Sequence, residues 1–198
     1  MIKFSNLNQE APYQIFNSKY DAALYAGQKN IEAVSISTFN KDTDEVDSRF
    51  VNLKFIINDE FIFFTNYNSS KSSAINTHNQ MAALIYWPSI NLQIRMKGNI
   101  KKTSSKFNQE YFFSRSEEKN ALSISSDQSK IIDSFDTVQE NFKKSLKNDN
   151  LKECPKYWGG YAFTPYEIEF WEGNEFRLNK RNLYTKDNTG WNHFILEP

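Results

Sequence analysis

Basic side chains that could bind a phosphate occur in two short segments of this chain, and in the second of them hydroxyl groups accompany the basic residue. Arg49 and Lys54 stand at the two ends of the segment RFVNLK, and Ser69, Ser70 and Lys71 follow one another further along. The second segment opens a short helix-like stretch, whose free backbone amides and positive dipole end would favour an anion. Serine is also an ordinary helix cap, so this segment alone is a weak indication.

Arg49 and Lys54 present a geometric difficulty if they are to share one ligand. Side chains alternate between the two faces of a strand, so residues at these positions of a regular strand point to opposite faces. One ligand could contact both only at a strand end, at a β-bulge or at a subunit interface. The alternative is that both are solvated charges at the edge of a sheet.

A third group of polar residues is spaced at intervals of four, namely Tyr111, Arg115 and Lys119. If one helix continues through all three positions, they form one stripe that could offer a hydroxyl, a guanidinium and an ammonium group to one anion. The alternative, a solvated helix face, is favoured when the spacing is considered alone.

A fourth group lies near the C-terminus, where Trp171 precedes Arg177 and Arg181. A tryptophan on a strand usually packs into a core. Two arginines that follow it closely can nevertheless form an anion clamp beside an aromatic wall.

Several classes of protein are disfavoured by what the chain lacks. Lysine plus arginine balances aspartate plus glutamate at 24 each, which argues against a partner such as nucleic acid or an anionic membrane. His78 and His193 have no partner at metal-ligand spacing, so no metal site is predicted, and the single cysteine, Cys154, excludes an intramolecular disulfide. No signal peptide or membrane span is recognised. We therefore expect a cytoplasmic protein.

Hydrophobic periodicity indicates the elements that must position these residues. Helices are predicted at 12–27, within 69–78, from 103 to about 115 and near 134–147, and strands at 33–39, 48–57, 60–66, 81–87 and 92–102, followed by strands in GGYAFTP, IEFWEG, RNLYTK and WNHFIL. The segment 148–156 is interpreted as a linker. This order predicts a small β-barrel of the α+β class, mainly β, in one domain over 1–198 with a short N-terminal arm at 1–11.

Taken in order, several segments resemble the pyridoxamine 5′-phosphate oxidase family of flavoproteins: RFVNLK, FFTNYNSSK, YWP with LQIRMKG, YFFSR, DQS, YWGGY, IEFWEG and RLNKR. Each fragment alone is modest, but the ordered series covers nearly the whole chain. The resemblance implies an FMN-binding split β-barrel with flanking helices. It also implies a homodimer with flavin mononucleotide (FMN) at the subunit interface and a small phosphorylated substrate.

The resemblance also implies roles for individual residues. The positions that match flavin contacts are Arg49, Val51, Lys54, Phe64, Thr65, Ser70, Lys71, Gln93, Gln128, Ser129, Trp171 and Arg181. Those that match the substrate side are Lys54, Tyr111, Arg115, Lys119, Arg177 and Asn179, of which Arg177 and Asn179 match the catalytic pair beside the substrate ring.

Four departures from the family pattern bear on the reaction. Ser70 stands where the family has an arginine, Phe64 replaces a tyrosine, Lys119 replaces a serine and Asn179 replaces a histidine. The arm before the first helix also lacks the arginine and tyrosine that the family places over its site. The changes at Lys119, at Asn179 and in the arm lie on the substrate side.

Three functions are consistent with this pattern. The leading prediction is FMN-dependent oxidation of pyridoxamine or pyridoxine 5′-phosphate to pyridoxal 5′-phosphate, with dioxygen as the acceptor. The second is a related FMN oxidoreductase acting on another ring compound, as in phenazine pathways. The third is a non-enzymatic carrier or sensor of flavin or pyridoxal phosphate.

Overall fold

Nine β-strands and five α-helices form along residues 1–198, all of which the computed structural model describes. The strands are β1 (Lys3–Ser5), β2 (Ala33–Asn40), β3 (Glu45–Ile57), β4 (Glu60–Asn66), β5 (Gln80–Trp87), β6 (Leu92–Lys102), β7 (Trp158–Glu172), β8 (Lys180–Asp187) and β9 (Gly190–Ile195). The helices are α1 (Ala11–Tyr25), α2 (Ser70–Thr77), α3 (Ser105–Ser114), α4 (Glu117–Ser125) and α5 (Phe135–Asn148). None of them has the length and apolar character needed to cross a membrane.

Six of the strands close into an antiparallel barrel. The path β3-β2-β5-β6-β7 runs along one sheet, and β4 pairs with both β3 and β7, which joins the two ends of that path. The strands β8 and β9 extend the sheet beyond β7, and β1 pairs in parallel with β3. The predicted split β-barrel of the α+β class is confirmed.

Strand alternation creates the barrel core. In β5, every second residue from Met81 to Trp87 is buried while the residues between them are exposed to differing degrees. Aromatic residues dominate the interior, and Phe16 of α1 packs edge-on against Phe61 and Trp87 at one end of the barrel. Helix α1 begins, as predicted, with a proline, Pro12, in its first turn.

The opposite face of β2, β3, β5 and β6, here called the outer sheet face, exposes apolar side chains. Phe50 is 75% exposed, Leu84 40% and Tyr86 52%. Phe50 and Leu84 lie in one row because both pair with Ser35 of β2. An apolar row on an otherwise polar sheet face is typical of a surface that another protein surface covers.

Three features of the chain differ from the sequence-based prediction. The N-terminal arm contains the strand β1, which is too short to show periodicity. Helix α4 follows α3 directly, although its sequence is polar; Glu117 and Glu118 in its first turn favour the helix dipole. The segments GGYAFTP and IEFWEG form the single strand β7. Pro165, which ends the first of them, pairs with Gly98 where the register shifts, and a proline without an N–H group is tolerated at such an irregularity.

Gly98 generates a prediction about stability. A Cβ atom at this position would lie 2.4 Å from the carbonyl oxygen of Thr164 and 2.8 Å from Cα of Pro165, both backbone atoms. We expect Gly98→Ala to lower the free energy of unfolding in urea by about 2 kcal/mol, because the strand pairing must shift to admit the methyl group. The exposed neighbour provides the control: Asn99→Ala should change it by less than about 0.5 kcal/mol. Equal losses in both variants would contradict this account.

Candidate functional site

A cavity of about 810 Å³ opens beside β3 and β4, and its lining is strongly basic. The cationic side chains that line it are Lys3, Lys54, Lys71, Arg115 and Lys119, and Glu32 is the only carboxylate among the lining residues. The chain as a whole has no formal net charge. The fold therefore concentrates positive charge in one place, as an anion-binding site requires.

Lys54 reaches the cavity because β3 bulges at its position. Leu53 pairs with Phe63 of β4, but Phe55 pairs with Ile62, so β3 has one extra residue there. The ammonium group of Lys54 lies 3.6 Å from a carboxylate oxygen of Glu32. A strand end, a β-bulge or a subunit interface could have allowed Lys54 and Arg49 to contact one ligand, and it is the bulge that brings Lys54 to the cavity.

Lys71 forms the polar floor of the cavity with two hydroxyl groups and an amide. Its ammonium group, on a side chain only 6% exposed, donates hydrogen bonds to Thr65 Oγ1 and Ser69 Oγ, each at 3.1 Å. Thr65 Oγ1 in turn donates to Gln128 Oε1 at 3.0 Å, and the backbone amide of Asn66 donates to the same oxygen. A buried ammonium group with no carboxylate partner is suited to an incoming anion.

The electrostatic surroundings of Lys71 weaken its hold on a proton. Burial disfavours the charged ammonium group, and the nearby Arg49 guanidinium repels it, so the pKa of Lys71 is lowered to about 8. Arg49 does not line the cavity; its guanidinium group donates to Thr38 Oγ1 at 2.7 Å and pairs with Asp47. It lies close enough to act on Lys71 electrostatically.

Ser70 and Ser129 lie next to this floor. The Ser70 hydroxyl donates to Ser129 Oγ at 3.4 Å, which brings the start of α2 close to the segment after α4. Ser129 has a positive φ of 73°, a conformation uncommon for residues other than glycine, asparagine and aspartate. Ser70 thus supplies a hydroxyl group where the family pattern has a guanidinium group.

One wall of the cavity is aromatic. The ring of Phe64 lies 4.0 Å from that of Tyr111 and 5.2 Å from that of Trp158, measured between centroids. The guanidinium carbon of Arg115 lies 4.5 Å from the centroid of Trp158, a cation–π contact. Trp158 was not among the predicted site residues, although the YWGGY segment that contains it belongs to the family pattern.

Tyr111, Arg115 and Lys119 line the same cavity but do not form one helical stripe. Helix α3 ends at Ser114, Arg115 adopts an extended conformation, and α4 starts at Glu117. Arg115 joins the two helices by donating to the carbonyl oxygen of Lys119 at 2.9 Å. Its Nη1 atom is buried without a hydrogen-bond partner, so one donor of the guanidinium group remains unused.

The remaining predicted residues lie elsewhere on the same chain. Gln93, Trp171 and Arg181 are direct neighbours in the register of β6, β7 and β8. Arg177 belongs to the 3-10 turn Glu175–Arg177 between β7 and β8, and the side chain of Asn179 accepts a hydrogen bond from the Asn174 amide in the same connection. Trp158 and Trp171 stand at opposite ends of β7, a path of roughly 40 Å along the strand.

The predicted site residues thus form two groups. Those that line the cavity are Val51, Lys54, Phe64, Thr65, Lys71, Tyr111, Arg115, Lys119 and Gln128, with Arg49, Ser70 and Ser129 beside them. Those at the far end of β7 are Gln93, Trp171, Arg177, Asn179 and Arg181. The lining residues Lys3 and Glu32 were missed, because nothing in their local sequence distinguishes them from surface charges.

The cavity fits a phosphorylated flavin by its donor set. An unpaired buried ammonium group, three nearby hydroxyl groups and the start of α2 together suit a phosphate, and the aromatic wall suits a planar ring. Because Ser70 stands where the family has an arginine, one charge-assisted contact to the phosphate is lost, but the remaining donors still suit a phosphate.

Comparison with known proteins shows which proteins share this fold and sequence. The model of the pyridoxine 5′-phosphate oxidase C-terminal dimerisation region matches residues 158–198. The crystal structure of PhzG from Burkholderia lata 383 in complex with tetrahydrophenazine-1-carboxylic acid superimposes with a TM-score of 0.89 at 24% identity, covering 94% of this chain and 92% of that one. The chain thus has the split-barrel fold found in FMN-binding proteins.

Two curated relatives identify the family. A pyridoxine/pyridoxamine 5′-phosphate oxidase of Leptospira interrogans (serovar copenhageni) is 32% identical over 190 residues, 94% of this chain and 88% of that protein. One of Christiangramia forsetii is 36% identical over 192 residues, with the same two shares. This chain belongs to the pyridoxine/pyridoxamine 5′-phosphate oxidase family.

The lowered pKa of Lys71 predicts a pH-dependent stability of the flavin-free protein. Between pH 8 and pH 10.5, the ordinary pKa of lysine, Lys71 keeps its proton in the unfolded chain but loses it in the folded one. The free energy of unfolding therefore rises with pH in this window. Below pH 8 the buried charge is destabilising. We expect Lys71→Met to raise the free energy of unfolding at pH 7 by about 1–3 kcal/mol, and by less at pH 9.5.

Chemical denaturation of the flavin-free protein at both pH values measures this effect. Lys106→Met, at a lysine 87% exposed, is the control and should change the free energy of unfolding by less than about 0.5 kcal/mol. A change in the free energy of unfolding of Lys71→Met that has the same size at both pH values would rule out the electrostatic explanation.

Proposed function

We propose that the chain is an FMN-dependent oxidase that converts pyridoxamine or pyridoxine 5′-phosphate to pyridoxal 5′-phosphate, with dioxygen as the electron acceptor. The observation that carries this proposal is the charge of the cavity. Its five cationic side chains exceed its one carboxylate by four charges. Two phosphate monoesters, one on the cofactor and one on the substrate, carry about −1.5 to −2 each near neutral pH and would balance that excess.

The positions of the cations support two separate phosphate sites. Lys71 lies on the floor beside α2, whereas Arg115 and Lys119 lie at the junction of α3 and α4. Lys54 stands on the β3 bulge. We assign the floor to the flavin phosphate, and Lys54, Tyr111, Arg115 and Lys119 to the substrate phosphate.

The second group of predicted residues supports a homodimer. Gln93, Trp171 and Arg181 lie too far along β7 from Trp158 to reach a flavin in the cavity of the same chain. A second copy packed on the outer sheet face would cover the exposed Phe50, which also lines the cavity. We propose that each of two flavin sites combines the cavity of one copy with Gln93, Trp171 and Arg181 of the other.

The protein's contribution to the reaction is binding and orientation. When bound, FMN would supply the redox chemistry, a two-electron oxidation of the substrate at its C4′ carbon with dioxygen as the final electron acceptor. Arg177 orients the substrate ring. Asn179 can donate and accept hydrogen bonds, but its amide does not titrate near neutral pH, so it cannot exchange a proton as the family's histidine can.

A related FMN oxidoreductase with a different ring substrate is the second candidate. It is favoured by Lys119 and Asn179, both of which change the substrate side while most flavin positions are retained. A carboxylate on such a ring carries one negative charge and would leave more of the cationic excess unbalanced than a phosphate does. That difference is why we place this candidate second.

Anaerobic reduction tests the proposed substrate class. We expect purified protein loaded with FMN to lose its visible flavin absorbance when pyridoxamine 5′-phosphate is added without oxygen, and to regain it when oxygen is admitted. Unphosphorylated pyridoxamine is the matched control and should act far more slowly at equal concentration, because it cannot use Lys54 and Arg115. A flavin that stays oxidised with the phosphate ester but is bleached by a dihydrophenazine carboxylate would establish the second candidate.

Asn179 generates a separate prediction. If the asparagine limits turnover because it holds no exchangeable proton, Asn179→His should raise kcat with pyridoxine 5′-phosphate about tenfold or more. It should also introduce a pH dependence near the ordinary histidine pKa of about 6.5. Asn174→His, at the exposed residue whose amide contacts Asn179, is the control. An unchanged kcat and pH profile in Asn179→His would show that this position does not limit the reaction.

A further inference from the structure

A buried carboxylate lies at the centre of the second residue group. Glu169 of β7 is 7% exposed, although its pairing with Arg95 of β6 places it on the continuation of the outer sheet face. Its Oε1 atom accepts a hydrogen bond from Arg181 Nε at 2.7 Å, and its Oε2 atom lies 3.5 Å from Arg95 Nη1. A carboxylate at such a depth is retained only when it is paired, and Glu169 is paired twice.

Each arginine uses one further donor atom to contact another residue. Arg181 Nη1 donates to the backbone carbonyl of Glu197 at 2.9 Å, so the guanidinium plane is held at two points. Arg95 Nη2 donates to Gln93 Oε1 at 3.3 Å. The carbonyl oxygen of Gln93 is therefore occupied, and its amide NH₂ group remains free to donate to a ligand.

The strand register explains how one carboxylate reaches both sides. Arg95 and Glu169 are direct cross-strand partners, and so are Gln93 and Trp171 two residues along the same strands. Arg181 of β8 pairs with Trp171, which lies two residues beyond Glu169 on β7. Since residues two apart on a strand share a face, the five side chains lie in one patch.

We propose that Glu169 is a positioning residue of the flavin site: it orients Arg181 directly, and Gln93 through Arg95. This inference rests on the proposed function, in which Gln93, Trp171 and Arg181 contact the flavin bound in the cavity of the other copy. The long side chains of arginine and glutamine lose rotational freedom when they bind a ligand. A carboxylate that already holds them in the free protein lowers that loss and so strengthens FMN binding.

The substitution Glu169→Gln tests this role with little change of shape. The neutral amide keeps an acceptor for one arginine but cannot attract two. We expect the dissociation constant for FMN, measured by quenching of flavin fluorescence, to rise about tenfold, the scale of one lost charge-assisted hydrogen bond.

The control is Glu167→Gln. Glu167 lies two residues away on the same face of β7 and pairs with Lys97 at 2.9 Å, so Glu167→Gln also removes a carboxylate from an ion pair between β6 and β7, but outside the patch. Its dissociation constant for FMN should stay within about twofold of the wild-type value. An equal weakening in both variants would overturn the proposal, because a general loss of charge on the face would then explain it.

A double-mutant cycle separates positioning from a structural role. If Glu169 acts through Arg181, adding Glu169→Gln to the Arg181→Gln variant should weaken FMN binding by less than about threefold, compared with about tenfold in the wild-type background. Glu169→Asp, which keeps the charge, should recover part of the affinity. Fully multiplicative effects would overturn the proposal.

Failure of the positioning role is distinguishable from failure of the proposed function. If the wild-type protein does not bind FMN, the proposed function itself fails. If the wild-type protein binds FMN and Glu169→Gln binds it equally well, only the positioning role fails. The thermal unfolding midpoint of each flavin-free variant should lie well above the temperature of the FMN titration, which verifies that the proteins are folded during the measurement.

Discussion

The pairing of β4 with both β3 and β7 is the constraint on which the rest of the molecule depends. It closes the barrel, and closure determines which residues lie at the ends of the three strands. The end of β4 brings Thr65 beside Lys71 of the following helix, and its pairing with β7 places Phe64 against Trp158. The bulge that turns Lys54 into the cavity also lies in the β3–β4 pairing. Without β4 in this position, neither the floor nor the aromatic wall would exist.

Positive charge distinguishes the cavity in a chain with no formal net charge. The cations come from β1, the β3 bulge, α2 and the α3–α4 junction, segments that closure of the barrel brings around one space. The cost of the empty site is clearest at Lys71, whose pKa is lowered mainly by burial and also by repulsion from Arg49, which lies beside the cavity. A site that is destabilised when empty gains more from an anion that binds it, since the ligand relieves the repulsion as well as forming its own contacts.

The strand β7 has different roles at its two ends. Near Trp158 it contributes to the cavity wall, and near Trp171 it carries a patch organised by Glu169. The proposed dimer would bring these two ends together from different copies. In that arrangement each chain contributes to two sites, and a substitution in the patch would affect the flavin held by the other chain.

Strand periodicity, the order of the short segments and the kinds of side chain they carry were determined by the sequence itself. Alternation and helix signals predicted the barrel and nearly all the helices, because they are local properties of a chain. Lys54, Lys71 and Arg115 were assigned to the site by the ordered resemblance to the family, since the local pattern alone also fitted solvated charges. Only the tertiary structure decided the bulge at Lys54, which depends on how β3 aligns with β4. It also decided the division of the predicted residues into two groups and the support that Glu169 gives to one of them. Pairing register depends on the partner strand as well as on a segment's own residues, and the burial of Glu169 depends on arginines of two other strands, so the pattern of one segment does not contain them.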